Sequence, residues 1–189
     1  MVKLPGRRAV FVDRDGVLNR AQVRDGKPFS PRKLQEFRLL PGVAAAMRQL
    51  RDAGFFIAVV TNQPDLGNRL VADTVIAAIH QRLRARVPLD DIRMCAHSQS
   101  AGCDCRKPRP GMLTAAARDH GIDLASSYMI GDRISDVIAG NSAGCYTIFV
   151  RRGYAESNGQ PIPSNAIVRS LPEAVRHILQ RMTPVMRDR

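Results

Sequence analysis

Two carboxylates, Asp13 and Asp15, follow the apolar run Ala9-Val10-Phe11-Val12 and precede Gly16. An aspartate nucleophile suits phosphoryl transfer because it is ionised at neutral pH. Its target is also anionic, so such a site needs a cation. Mg²⁺ prefers oxygen ligands and binds through a few carboxylates plus substrate phosphate. A carboxylate two positions on can protonate the leaving oxygen and then activate water. The same residues also fit a plain turn, since Asp-Gly and Asp-x-Asp are common in loops.

A second cluster has metal-ligand chemistry. Cys95, His97, Cys103 and Cys105 form a Cys₃His set suited to structural zinc, and Arg106 and Lys107 follow directly. The intervening loop has little core of its own. A metal would replace that core and fix where the two cations point. Reactive thiols or chance clustering are the other readings of these cysteines. Clustering favours metal over disulfide in a reducing compartment, and Cys145, within an apolar run, reads as a small core residue.

Alternating apolar runs and helical patterns must hold these groups. Strands are expected at 9–12, 55–60, 92–95, 127–130 and 145–150, with an edge strand at 167–168. Helices are expected at 41–53, 71–86, 110–120, 134–143 and 171–181. Residues 153–165 read as a loop and the last few residues as frayed. The pattern predicts an α/β fold, a Rossmann-like parallel sheet with helices on both faces. One domain is expected over 1–189, with its core at about 8–182.

Ligands of such sheets sit beyond the carboxyl ends of the strands. Asp13, Thr61, Cys95 and Asp132 all fall at those ends. Thr61 can donate to a phosphate oxygen or cap a turn, and Asn62 and Gln63 beside it add two amides. Asp132 is the natural second Mg²⁺ ligand. Asp136 is either a group behind the metal or a charge at a helix start.

The formal net charge is +12, yet only four of the 29 basic residues are lysine and the arginines are spread along the chain. Diffuse arginine without Trp argues against a base-stacking platform, and so against a nucleic-acid partner. No apolar run approaches the roughly 20 residues needed to cross a bilayer. The N-terminal segment lacks a signal peptide's pattern. A cytoplasmic, monomeric protein acting on a small phosphorylated substrate is the expectation.

In order and spacing, Asp13-Arg14-Asp15-Gly16, Thr61-Asn62-Gln63, Lys107 and Gly131-Asp132 resemble the four motifs of the haloacid dehalogenase (HAD) superfamily of phosphohydrolases. The resemblance covers residues 9 to about 150. It implies that Asp13 forms an aspartyl-phosphate, that Asp15 is the acid/base and that Thr61 and Lys107 hold the phosphoryl group. It also implies Mg²⁺ on Asp13, Asp132 and the backbone carbonyl of Asp15. Asn62 and Gln63 are expected at the substrate.

The cysteine loop resembles the zinc-bearing branch, which includes histidinol-phosphate and heptose bisphosphate phosphatases. Residues 103–108, 110–113 and 126–133 resemble the heptose bisphosphate enzymes especially. That likeness implies zinc on Cys95, His97, Cys103 and Cys105, and substrate contacts from Arg106 and Arg133. Three departures stand out: Val17 where threonine is usual, and altered segments at 19–24 and 63–67. Only about 40 residues separate Asp15 from Phe55, which leaves no room for a large cap domain. An open site rimmed by residues 24–38 and the cysteine loop is expected. The competing readings are a histidinol-phosphate phosphatase, a nucleic-acid 3′-phosphatase and a zinc-stabilised interaction module.

Overall fold

The computed structural model describes residues 6–154 and 161–182. Part of the expected 153–165 loop, the first five residues and the C-terminal residues expected to fray lie outside the described residues.

The first strand, β1 (Ala9–Val12), is buried on every residue. Burial on both faces explains its unbroken apolar run. Alternate side chains enter opposite cores: Val10 and Val12 pack in one, Ala9 and Phe11 in the other. A short antiparallel hairpin follows, β2 (Gln22–Arg24) and β3 (Lys27–Phe29). Next come α1 (Val43–Asp52), β4 (Phe56–Asn62), the single turn α2 (Pro64–Gly67) and α3 (Asp73–Arg84). The chain continues through β5 (Asp91–Cys95), α4 (Gly111–His120), β6 (Tyr128–Gly131) and α5 (Ile134–Ala143). It ends in β7 (Tyr146–Val150), β8 (Ala166–Val168) and α6 (Leu171–Met182).

Six strands form one parallel sheet in the order β5-β4-β1-β6-β7-β8. One core cluster takes Val43, Met47 and Leu50 of α1, Ile76, Ile79 and Leu83 of α3 and Val175 and Ile178 of α6. The other takes Met112, Leu113 and Ala116 of α4 and Ala139 of α5. This is the expected doubly covered parallel sheet. No helix among the described residues is long and apolar enough to cross a membrane.

The order matters for function. From β1 the chain builds outward through β4 and β5 on one side, then returns to build β6, β7 and β8 on the other. The connections leaving β1 and β6 therefore diverge, and a crevice opens where their carboxyl ends meet.

Element boundaries moved by one or two residues. The shift that bears on the site is in β4, which runs on through Thr61 and Asn62, so both belong to the strand rather than to the loop after it. The β2–β3 hairpin was not expected, although its signal was present. Asp25-Gly26 forms a two-residue turn with φ of 50° and 71°, the left-handed pair that a type I′ hairpin requires.

One hydroxyl ties the amino ends of the two central strands. Ser127 Oγ accepts from the Ala9 N–H at 2.9 Å and donates to the Asp123 carbonyl at 2.5 Å. Ser127 is buried, so Ser127→Ala strands an N–H away from water. We expect a loss of about 1–3 kcal/mol in urea unfolding, with the fold retained; an unchanged midpoint would contradict this role.

Candidate active site

Asp13 lies one residue past β1, its N–H bonded to the Ile130 carbonyl of β6 at 2.9 Å. Its carboxylate meets the Lys107 ammonium, which donates to Asp13 Oδ1 at 2.6 Å and to the Val60 carbonyl at 2.7 Å. Asp136 Oδ1 lies 2.6 Å from the same ammonium, an ion pair whose angle falls outside hydrogen-bond geometry. All three residues are buried. Lys107 arrives from the loop after the cysteines, and its backbone is clamped from β4. The Asn62 side chain donates to the Lys107 carbonyl at 3.0 Å and accepts from its N–H at 3.1 Å.

Asp132, one residue past β6, completes the cluster. Carboxylate oxygens of Asp13, Asp132 and Asp136 all lie within 4.8 Å of one another. Both Asp132 oxygens are buried and outside hydrogen-bond geometry with any donor among the described residues, although the Tyr154 hydroxyl lies beside the carboxylate. Gly16 makes this approach possible. Its φ is +92°, and a Cβ there would lie 1.8 Å from Asp132 Oδ2. Three buried carboxylates face one ammonium, and the imbalance is visible in their protonation. Burial pushes Asp13 up to about 6 despite the opposing charge of Lys107. Asp132 is raised well above the carboxylate range by burial and by Asp13 and Asp136. Burial alone would lower Lys107, but the two flanking carboxylates outweigh it and raise it.

Asp15 is held differently. Oδ1 accepts from Arg14 Nε at 3.2 Å and Asn19 Nδ2 at 2.9 Å. Oδ2 accepts from Arg14 Nη2 at 2.9 Å, Ser30 Oγ at 2.8 Å and Gln63 Nε2 at 2.8 Å. Burial raises its pKa, yet Arg14 and these amides bring it below the ordinary value. The two carboxylates thus sit on opposite sides of the normal range, with Asp15 held ionised by its donors and Asp13 the group that burial raises.

Thr61 Oγ1 accepts from Gln63 Nε2 at 2.8 Å, which leaves its own proton free to point elsewhere. Gln63 itself differs from expectation. It is wholly buried behind Asp15 and Thr61 and does not line the crevice, because its backbone pairs with Cys95 and its amide is drawn inward. Asn62 does line the crevice, but its amide is spent on Lys107. Asn62 therefore meets the crevice beside Lys107, and Gln63 sits behind Asp15 and Thr61.

The crevice has a volume of about 420 Å³, and Asp13, Asp15, Thr61 and Lys107 form its floor. Arg106 and Arg133 also line it, as do Pro28, Phe29 and Ser30 of the hairpin segment and Gln99 of the cysteine loop. Arg106 Nη1 is buried without a hydrogen-bond partner. Arg133 Nη2 donates to the Pro28 carbonyl at 3.3 Å. Arg32 and Asp65 form an ion pair at 2.7 Å. They join the hairpin segment to α2 and account for a charged residue at 65.

The four cysteine-loop ligands also come together. Cys95 Sγ lies 3.5 Å from Cys103 Sγ, and Cys103 lies 3.5 Å from Cys105. His97 Nδ1 is 3.6 Å from Cys95 and 3.3 Å from Cys105. A tetrahedral zinc with Zn–S near 2.3 Å would set neighbouring sulfurs about 3.8 Å apart, close to this spacing.

Sequence reasoning missed Asn19, Ser30 and His80, which contact Asp15 directly or through Arg14. Asn19 stood in plain view within the altered 19–24 segment. Ser30 and His80 gave no local signal, because chain folding alone brings them near Asp15.

Comparison with known proteins agrees with this geometry. The family described as "HAD-hyrolase-like" matches residues 104–174. The D-glycero-D-manno-heptose-1,7-bisphosphate 7-phosphatase of Thermosynechococcus vestitus is 37% identical over 166 residues, 79% of this chain and 82% of the relative. The D-glycero-beta-D-manno-heptose-1,7-bisphosphate 7-phosphatase of Haemophilus ducreyi is 32% identical over 92% of this chain and 99% of the relative. Among solved structures, the D,D-heptose 1,7-bisphosphate phosphatase of B. bronchiseptica, complexed with magnesium and phosphate, superposes with a TM-score of 0.81. It is 31% identical and covers 92% of this chain and 99% of its own. With the motif residues gathered at one sheet edge and relatives of this identity along most of its length, the chain belongs to the HAD phosphatases, in the branch of the heptose bisphosphate enzymes.

Proposed function

We propose that the protein removes one phosphate from a sugar bisphosphate, D-glycero-manno-heptose 1,7-bisphosphate, through an aspartyl-phosphate on Asp13. The observation that carries this reading is the Asp13–Lys107 pair at the floor of the crevice, with Asp15 held beside it by five donors. The names and coverage of the relatives support the substrate. An unpartnered Arg106 nitrogen and the nearby Arg133 suit a second phosphate on the same substrate.

The residues also fit a magnesium ion. Asp132 offers two buried oxygens outside hydrogen-bond geometry with any donor among the described residues, and one ammonium does not balance three carboxylates. Asp13, Asp132 and the backbone carbonyl of Asp15 would hold Mg²⁺, which supplies positive charge against the phosphoryl oxygens when bound. Asp136 has another task, since it accepts from the Arg133 N–H at the start of α5 and faces Lys107. In the same way Cys95, His97, Cys103 and Cys105 would hold a structural zinc that fixes Arg106 and Lys107.

Asp13 attacks phosphorus. The bond to the leaving sugar oxygen breaks, and that oxygen takes a proton from Asp15, which must pick one up from solvent as the substrate binds because its donors hold it ionised in the free site. Asp15, now ionised, accepts a proton from the water that attacks the aspartyl-phosphate, which regenerates Asp13 and releases phosphate. Lys107 and the Thr61 hydroxyl oppose the charge on the equatorial oxygens throughout.

Asp13→Asn should lower phosphate release from heptose 1,7-bisphosphate by on the order of 10⁴-fold or more without unfolding the chain; retained turnover would refute the mechanism. Metal analysis should find about one zinc per chain, and an active zinc-free protein would refute the structural zinc.

Magnesium should also change the pH dependence of stability. Asp13 moves from 3.8 unfolded to about 6 folded. Between those values the folded chain holds a proton that the unfolded chain has released. The metal-free protein therefore loses stability as pH rises through that window. His80 acts with the opposite sign. Burial and Arg14 lower it to about 4 from 6.5, so its contribution grows as pH rises from about 4 to 6.5. His80 touches none of the three clustered carboxylates, so the melting-temperature difference with and without Mg²⁺ isolates them. That increment should be larger at pH 8 than at pH 5; an equal or reversed increment would contradict the assignment.

A further inference from the structure

Arg14 lies between the two catalytic carboxylates in sequence, yet its side chain is fully buried and takes no part in the mechanism above. One edge of its guanidinium, Nε and Nη2, grips both oxygens of Asp15. The remaining nitrogen, Nη1, lies 3.0 Å from Nε2 of His80, a half-buried residue 66 positions away on α3. Arginine has donors only, so His80 Nε2 must accept, and the imidazole must be neutral with its proton on Nδ1. The depressed pKa of His80 agrees with that form.

A bidentate grip fixes the plane of a carboxylate as well as its position. The other three donors to Asp15 are the Asn19 amide, the Ser30 hydroxyl and the Gln63 amide. Each makes a single bond to one oxygen, whereas the guanidinium holds both oxygens through one rigid plane. The plane of Asp15 is therefore set by the plane of Arg14, which is held from behind by His80. We propose that Arg14 and His80 are positioning residues that set the angle at which Asp15 meets the leaving oxygen. This rests on the reading of Asp15 as the acid/base.

The consequence is a dependence on the leaving group. Expulsion of a sugar alkoxide needs the proton of Asp15, whereas expulsion of 4-nitrophenolate needs it little. For both substrates kcat/KM reports the steps up to formation of the aspartyl-phosphate. A disturbed Asp15 should therefore be felt by one substrate and not the other. A general loss of structure would lower both alike.

The test compares wild type, His80→Leu and His80→Gln on heptose 1,7-bisphosphate and on 4-nitrophenyl phosphate. His80→Leu should lose on the order of tenfold or more in kcat/KM on the sugar phosphate and about threefold or less on the aryl phosphate. His80→Gln, whose carbonyl can accept from Arg14, should recover most of the loss. Equal losses on the two substrates, or no loss with the leucine, would overturn the proposal. If the leucine variant fails to fold, ¹⁵N NMR of the wild-type imidazole decides: an unprotonated Nε2 from pH 6 to 8 supports the proposal, and a protonated one overturns it. Wild-type protein inactive on both substrates would instead overturn the phosphatase reading, and this proposal with it.

Discussion

The Lys107 ammonium is the constraint on which the site depends. It is a buried cation between two buried carboxylates, with the Val60 carbonyl as its third partner. Breaking such a group out of its pairings leaves uncompensated charge in the interior, which costs several kcal/mol. Three strand ends are drawn to one point as a result: β1 through Asp13, β4 through Val60 and Asn62, and β6 through the turn that leads to Asp136. The excess negative charge left at that point is also what would attract a divalent cation and a phosphate together.

The cysteine loop follows from the same requirement. Lys107 comes from a long connection between β5 and α4 that contributes little to either core. A flexible lysine in such a loop would not stay at a buried site. Cys105 stands two residues before it, and the four ligand atoms of the cluster already lie at tetrahedral spacing. A zinc there would fix the backbone from one side while Asn62 clamps it from the other. Function would then depend on a metal that takes no part in the reaction, one that replaces the packing the loop lacks.

Much of this was legible in the chain. Strands of four to six largely apolar residues, each followed by or ending in a polar group, placed Asp13, Thr61, Cys95 and Asp132 on one edge. What stayed hidden were contacts created by tertiary folding. Asn62 and Gln63 read as substrate amides because they follow an apolar run. The strand runs on through Asn62, whose amide clamps Lys107, and Gln63 just after it donates to Asp15. The Asp25-Gly26 hairpin was readable and was missed, because its strands are only three residues long and mostly exposed. His80 could not have been found from sequence, since nothing in a helix of ordinary pattern marks the one residue that reaches Arg14.

The account stands or falls on Asp13 as the atom that carries the phosphoryl group. Borohydride reduces an acyl phosphate to an alcohol, so rapid quenching of the protein during turnover of heptose 1,7-bisphosphate, followed by peptide mass spectrometry, reads the acceptor directly. Homoserine should appear at position 13, only with substrate and Mg²⁺ present. Turnover without any reduced residue, or with the reduced residue at another carboxylate, would contradict it.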